Sequence, residues 1–235
     1  MTEQTGHRAL KASMTIQFIV IDGFSMMALL SAIEPLRAAN RLTGETLFAW
    51  SLVSDAARNV TSSSRMEIPT QHGLQEAPTP DLTIVIASLF PSDYRNAALF
   101  SRLRRLRNSG RMIGAISSGT LLLAKAGVLG DHRVTIHWET ARELEMTFPN
   151  VKASSEIFCW DRNVLTSARG AAAMDLMLAL IVQLKGTPVF KMSDKNARLG
   201  ECSNQQLYRT YAEVQASVYW KIAPSNVDAP SLIAP

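Results

Sequence analysis

The chain has 235 residues, 47% hydrophobic and 19% charged, with a formal net charge of +4. That suffices for one large domain with a full core, or for a domain with a small appendage. Cys159 and Cys202 lie far apart without metal-like spacing, and no apolar run approaches the roughly 18 residues of a membrane span, so a disulfide framework, a metal site and a membrane protein are excluded. The expectation is a reduced, cytoplasmic chain without metal or other cofactor.

Residues 1–13 are polar, lack the core of a secretory signal and read as a disordered leader. Residues 14–21 are rich in β-branched and aromatic types, the composition of a central strand buried on both faces. Asp22-Gly23 turns the chain. Residues 24–40 carry helical periodicity through Met27, Leu30, Ile33 and Leu36, with Pro35 expected to kink the helix. Residues 48–54 form a second strand, 60–69 a short hairpin or irregular excursion, and 81–87 another strongly apolar strand. In a helix beginning near Tyr94, Leu99, Leu103 and Leu106 share one face. Arg102, Arg104, Arg105 and Arg107 are expected on the other, as a solvated surface rather than a nucleic-acid groove.

The stretch around Ser117 organises the rest. Residues 112–116 read as a buried strand that runs straight into the small residues Ser117, Ser118 and Gly119 and a Leu/Ala-rich helix. The strand-to-helix corner holds the Ser117 side chain on a sharp turn and directs amide N–H groups of the following helix toward its neighbour. As a pattern it is Ala-x-Ser-x-Gly, one residue from the Gly-x-Ser-x-Gly nucleophile elbow.

Residues 134–136 lead to His137-Trp138 and a helix through Glu145. A hairpin about Asp161-Arg162 and a long helix over 171–185 follow, and Pro188 suits the first turn of a further helix. Residues 194–215 are polar and helical in character, and 217–235 read as a tail or linker. This alternation indicates an α/β fold: a doubly wound, mostly parallel sheet with helices on both faces. Ligands of such sheets bind beyond the carboxyl ends of the strands, where the first helix with Glu34, the Ser117 corner and His137-Trp138 are expected to converge.

Each residue has two readings. Glu34 is either a ligand-facing carboxylate or a surface residue. His137 orients a substrate, acts as a base or caps its helix. Trp138 is a core or pocket-wall residue, or a ring face for a cationic ligand.

The ordered set Ile21-Asp22-Gly23-Phe24, Glu34-Pro35-Leu36-Arg37-Ala38-Ala39-Asn40, the Ser117 corner, Gly127-Val128-Leu129, Thr135-Ile136-His137-Trp138 and Asp175-Leu176-Met177-Leu178 resembles one group. It is similar to the N-terminal, ligand-sensing domain of AraC-family transcription regulators built on the class I glutamine-amidotransferase-like (PfpI-type, flavodoxin-like) fold. The resemblance implies a sensing domain over residues 14–200 and a C-terminal helix and tail over 201–235. It implies DNA contact only through a helix-turn-helix domain not present in this chain, and a homodimer. It implies a small-molecule effector, with nitrogenous metabolites such as amino acids and quaternary ammonium compounds the first expectation. The implied binding residues are Glu34, Ser117, Ser118, Gly119, His137, Trp138 and Arg169.

In enzymes of that superfamily the corner bears a nucleophilic cysteine, whose place Ser117 takes, with Glu34 matching their glutamate. A serine hydroxyl is nearly inert without a base to take its proton, so no catalytic residue is assigned. Arg169 stands where relatives keep glycine and suggests an anionic ligand, an ion pair with Glu34, or an altered site. The alternatives are a PfpI-type hydrolase or hydratase using Ser117 with His137 and Glu34, and a dimerisation scaffold with a vestigial pocket.

Overall fold

The structure, a computed structural model, describes residues 14–55, 57–89 and 91–185. The leader, the helix expected at Pro188, the polar helix over 194–215 and the tail lie outside the described residues. The chain divides into a unit ending at Met177 and one starting at Leu178, of which the described part is the end of one helix.

The elements begin with β1 (Met14–Val20), α1 (Met26–Thr43) and β2 (Phe48–Ser54), followed by the short strands β3 (Val60–Thr61), β4 (Glu67–Ile68) and β5 (His72–Gly73). Then come β6 (Leu82–Ala87), α2 (Ala97–Asn108), β7 (Met112–Ser117), α3 (Gly119–Lys125), β8 (Arg133–Val134) and α4 (Trp138–Thr147). The series closes with β9 (Lys152–Ala153), β10 (Phe158–Asp161), β11 (Val164–Ser167) and α5 (Ala172–Lys185). The main sheet has the order β10-β11-β7-β6-β1-β2-β5, and every pairing in it is parallel except that of β10 with β11. The expected doubly wound sheet is the observed one.

Every residue of β6 is buried and all but one of β1, as a sheet covered on both faces requires. On one face Ile19, Val85 and Ala115 pack with Leu99, Leu103 and Leu106 of α2 and Leu121–Leu123 of α3. Each such leucine contributes roughly 1.5–3 kcal/mol by leaving water. Ser25 caps α1 by accepting from Ala28 N at 3.3 Å, and Gly44 ends it in the left-handed conformation. Pro35 sits buried inside the helix, which runs on past it to Thr43. The Asn40 amide then bonds both Phe48 N and Phe48 O, setting the start of β2 against the end of α1.

One expectation about α2 is corrected. Arg102 is 5% exposed rather than solvated. Its guanidinium donates to Leu74 O (3.1 Å), Pro78 O (2.7 Å) and Gln17 Oε1 (2.8 Å), joining α2 to β1 and to the chain between β5 and β6. Burial pushes its pKa down, yet a guanidinium stays charged. The planar fork is what lets one side chain serve three acceptors.

Arg102→Met is therefore expected to lower stability by about 3 kcal/mol, because buried acceptors are left without donors. Arg102→Lys should recover less than half of that, since a single ammonium cannot reproduce the fork. Urea denaturation measures both, and an unchanged midpoint for Arg102→Met would contradict the assignment.

Candidate functional site

The corner forms because β7 ends beside β6 and α3 must leave at once. Ala87 pairs with Ser117, and Ser118 N donates to Ala87 O at 3.1 Å. Ser117 carries the bend at φ +61°, a left-handed conformation that costs a non-glycine residue roughly 1–3 kcal/mol. Gly119 then passes so close to β6 that a Cβ there would lie 2.4 Å from Val85 O. Ser117, Ser118 and Gly119 are all buried.

The segment before His137 is bolted to the corner by buried polar groups. Thr120 Oγ1, in the first turn of α3, donates to Thr135 O at 2.9 Å, while Thr135 N donates to Thr166 Oγ1 at 2.9 Å. Thr135 Oγ1 donates to Glu156 O at 2.6 Å. The chain entering His137 is thus tied to the first turn of α3, and His137 itself N-caps α4. Its Nδ1 accepts from Glu139 N at 3.4 Å and stands 3.5 Å from Glu139 Oε2. Among the described residues no side chain hydrogen-bonds the Ser117 hydroxyl. Asp131, the acid between Ser117 and His137 in sequence, is fully exposed and paired with Arg162 at 3.0 Å. Among the described residues no hydrogen bond joins Ser117 to His137, so a serine–histidine–acid relay is not assembled in them.

Three sequence expectations are redirected. Glu34 is engaged on its own helix: its half-exposed carboxylate accepts from Arg37 Nε (2.8 Å) and Nη2 (2.6 Å). Position 34 lies about 12 Å along the axis from the start of α1, whereas the first turn meets the chain after β11: a Cβ on Gly170 would lie 3.0 Å from Ala28 N. Trp138 is not a core residue: it is 67% exposed, its ring tilted against that of His137 at 5.7 Å. Arg169 is exposed, and the ion pair with Glu34 does not form, because Glu34 is taken by Arg37.

Sequence reasoning missed a cleft of about 340 Å³ on the β1–β2 side of β6. It is lined by Ile21 and Asp22 after β1, Asp55 and Arg58 after β2, and Leu89, Asp93 and Tyr94 after β6, among others. Arg58 Nη2 meets Asp22 Oδ2 at 2.5 Å, Thr61 N donates to Asp22 Oδ1 at 3.0 Å, and the Tyr94 hydroxyl donates to Asp55 Oδ1 at 2.8 Å. Burial, then the Asp55 carboxylate, push the phenol pKa far upward, so Tyr94 remains a neutral donor. In the sequence Asp22-Gly23 reads only as a turn. The model of the DJ-1/PfpI family matches residues 14–183. The chain is 34% identical over 189 residues to the HTH-type transcriptional regulator CdhR of Pseudomonas aeruginosa, covering 80% of this chain and 56% of that protein. To the HTH-type transcriptional regulator GlxA of Rhizobium meliloti it is 36% identical over 173 residues, 73% of this chain and 53% of the other. The chain thus spans about half the length of the curated relatives it matches. Among solved structures, an AraC family transcriptional regulator from Pseudomonas putida superposes with TM-score 0.70 at 27% identity, over 75% of this chain and 95% of that one. Drosophila melanogaster DJ-1beta superposes with TM-score 0.63 at 16% identity, over 86% and 98%, and shares the fold.

Two substitutions test the corner's construction. Ser117→Gly should raise stability by about 1 kcal/mol, because glycine accepts positive φ without penalty. Gly119→Ala should lower it by about 3 kcal/mol, because the new methyl meets a carbonyl that the sheet holds in place. Thermal or urea unfolding reads both, and a neutral Gly119→Ala would show that α3 leaves β7 differently.

Proposed function

The chain belongs to the DJ-1/PfpI family, and from that premise we propose that it is the small-molecule-sensing part of an AraC-type transcription regulator. The relatives that match most of its length carry regulator names. The supporting observation in the fold is the Ser117 corner, a tight polar bend whose hydroxyl no described side chain hydrogen-bonds. Such a site holds a ligand by shape and hydrogen bonds and does not attack it. In this reading Ser117, Ser118, Gly119 and His137 face the effector, a nitrogenous metabolite such as an amino acid or quaternary ammonium compound. Residues 14–200 act as a cytoplasmic, homodimeric sensor, and operator contact belongs to a helix-turn-helix segment of the full regulator.

Calorimetry with a panel of amino acids and quaternary ammonium compounds should give saturable binding by at least one member, weakened several-fold in Ser117→Ala. A fluorophosphonate probe should leave the chain's intact mass unchanged. Stoichiometric labelling at Ser117, with a turnover that Ser117→Ala abolishes, would replace the sensor by the PfpI-type hydrolase. A folded chain that binds no panel member would remove the effector class.

A further inference from the structure

The corner on which the proposed function relies is closed. Ser117 is 6% exposed and Ser118 2%, so a small molecule reaches them only if a neighbouring element moves. Two segments flank the corner. One follows β6, whose last residue, Ala87, pairs with Ser117 and accepts from Ser118 N. The other follows β8, is tied at Thr135 to the first turn of α3, and then enters α4.

The apolar anchoring of α4 is slight. α3 buries six of its seven residues, whereas Leu144 is the one buried residue among the ten of α4. Ala141 adds a half-buried contact with the core, and Trp138 and Met146 stand in solvent. The ends of α4 are better held. Thr135 is bonded through its carbonyl, amide and hydroxyl to Thr120, Thr166 and Glu156. Phe148 and Val151 pack on the core, and β9 pairs with β8. Between these ends a polar contact fastens the helix: the Ser92 hydroxyl donates to Glu143 Oε2, across to the segment after β6. That segment is fixed from α3, because Lys125 Nζ donates to Pro91 O at 2.8 Å and to Ser92 O at 2.5 Å. An element with few buried apolar contacts opens at a free energy well below that of the whole fold.

We propose that α4 is a lid over the Ser117 corner, hinged at its two ends and latched by the Ser92–Glu143 hydrogen bond, and that it lifts without the domain unfolding. Its role as a lid rests on the reading of the corner as the effector site; the opening itself does not.

The test is peptide-resolved hydrogen exchange on the full 235-residue chain, paired with alkylation of the thiol that Ser117→Cys places at the corner. Amides of 138–147 are expected to exchange about tenfold faster than those of 112–125. Ser92→Ala removes the latch donor and should speed exchange in 138–147 roughly fivefold, leaving 112–125 and the urea midpoint unchanged. Iodoacetamide should modify position 117 slowly in Ser117→Cys, and adding Ser92→Ala should raise that rate by a similar factor. Glu143→Gln keeps an acceptor and should fall between, while Glu145→Gln, exposed on the same helix, should change neither rate. Should Ser92→Ala disturb folding, Glu143→Gln carries the test. Exchange in 138–147 as slow as in 112–125 would show a fixed helix. Latch variants that speed nothing in α4, or that loosen the whole domain and lower the urea midpoint, would overturn the latch. Faster exchange in α4 with an unaltered alkylation rate would take the lid away from the corner. No arm requires an effector, so a chain that binds no amino acid or quaternary ammonium compound fails the sensor reading and leaves the opening standing.

Discussion

The approach of Gly119 to the backbone of β6 is the constraint on which the rest depends. A Cβ at this position would lie 2.4 Å from the Val85 carbonyl oxygen, so α3 can begin where it does only without a side chain. Because α3 begins there, the bend falls on Ser117, which must take φ +61°. Because the bend falls there, Thr120 comes within hydrogen-bond reach of the Thr135 carbonyl, and the chain leading to His137 is tied to the first turn of α3. Strain at one residue is thus held by packing at its neighbours, the usual condition under which an unfavourable backbone conformation persists.

Much of this was legible in the sequence. β1, β6 and β7 are short apolar runs because both their faces are buried. The corner was legible for a related reason: a strand ending in small residues before a leucine-rich helix has few geometries open to it. The two-residue strands β5, β8 and β9 were not, since their pairing follows from where larger elements place them. Arg102 shows residue type misleading where position would not have. Positions 99, 102, 103 and 106 fall on one helical stripe, and that spacing placed residue 102 in the core whatever its charge. Glu34 misled in the opposite sense: an acid in an apolar helix suggested a site, and a surface pair with Arg37 three residues on accounts for it.

The cleft lined by Asp22 and Tyr94 could not be read from any one stretch. Asp22, Asp55, Arg58 and Tyr94 come from the loops after three strands and share no local motif. They meet because parallel strands deliver all their carboxyl ends to one edge, and the order of strands decides which loops face each other. The same rule places the Ser117 corner, after β7, and the cleft, after β1, β2 and β6, at the same carboxyl edge of the sheet. The two differ in chemistry: the corner offers hydroxyls and small residues, and the cleft offers excess negative charge with apolar walls.

The central claim is that this chain binds small molecules along the carboxyl edge of its sheet without reacting with them. Amide chemical-shift mapping with the tightest-binding compound of the amino-acid and quaternary-ammonium panel tests it most directly. The account predicts shifts concentrated at the carboxyl ends, around residues 117–120 and 135–137 for the corner. Shifts gathered instead at the opposite edge, around Thr15, Asp81 and Met112, would contradict it.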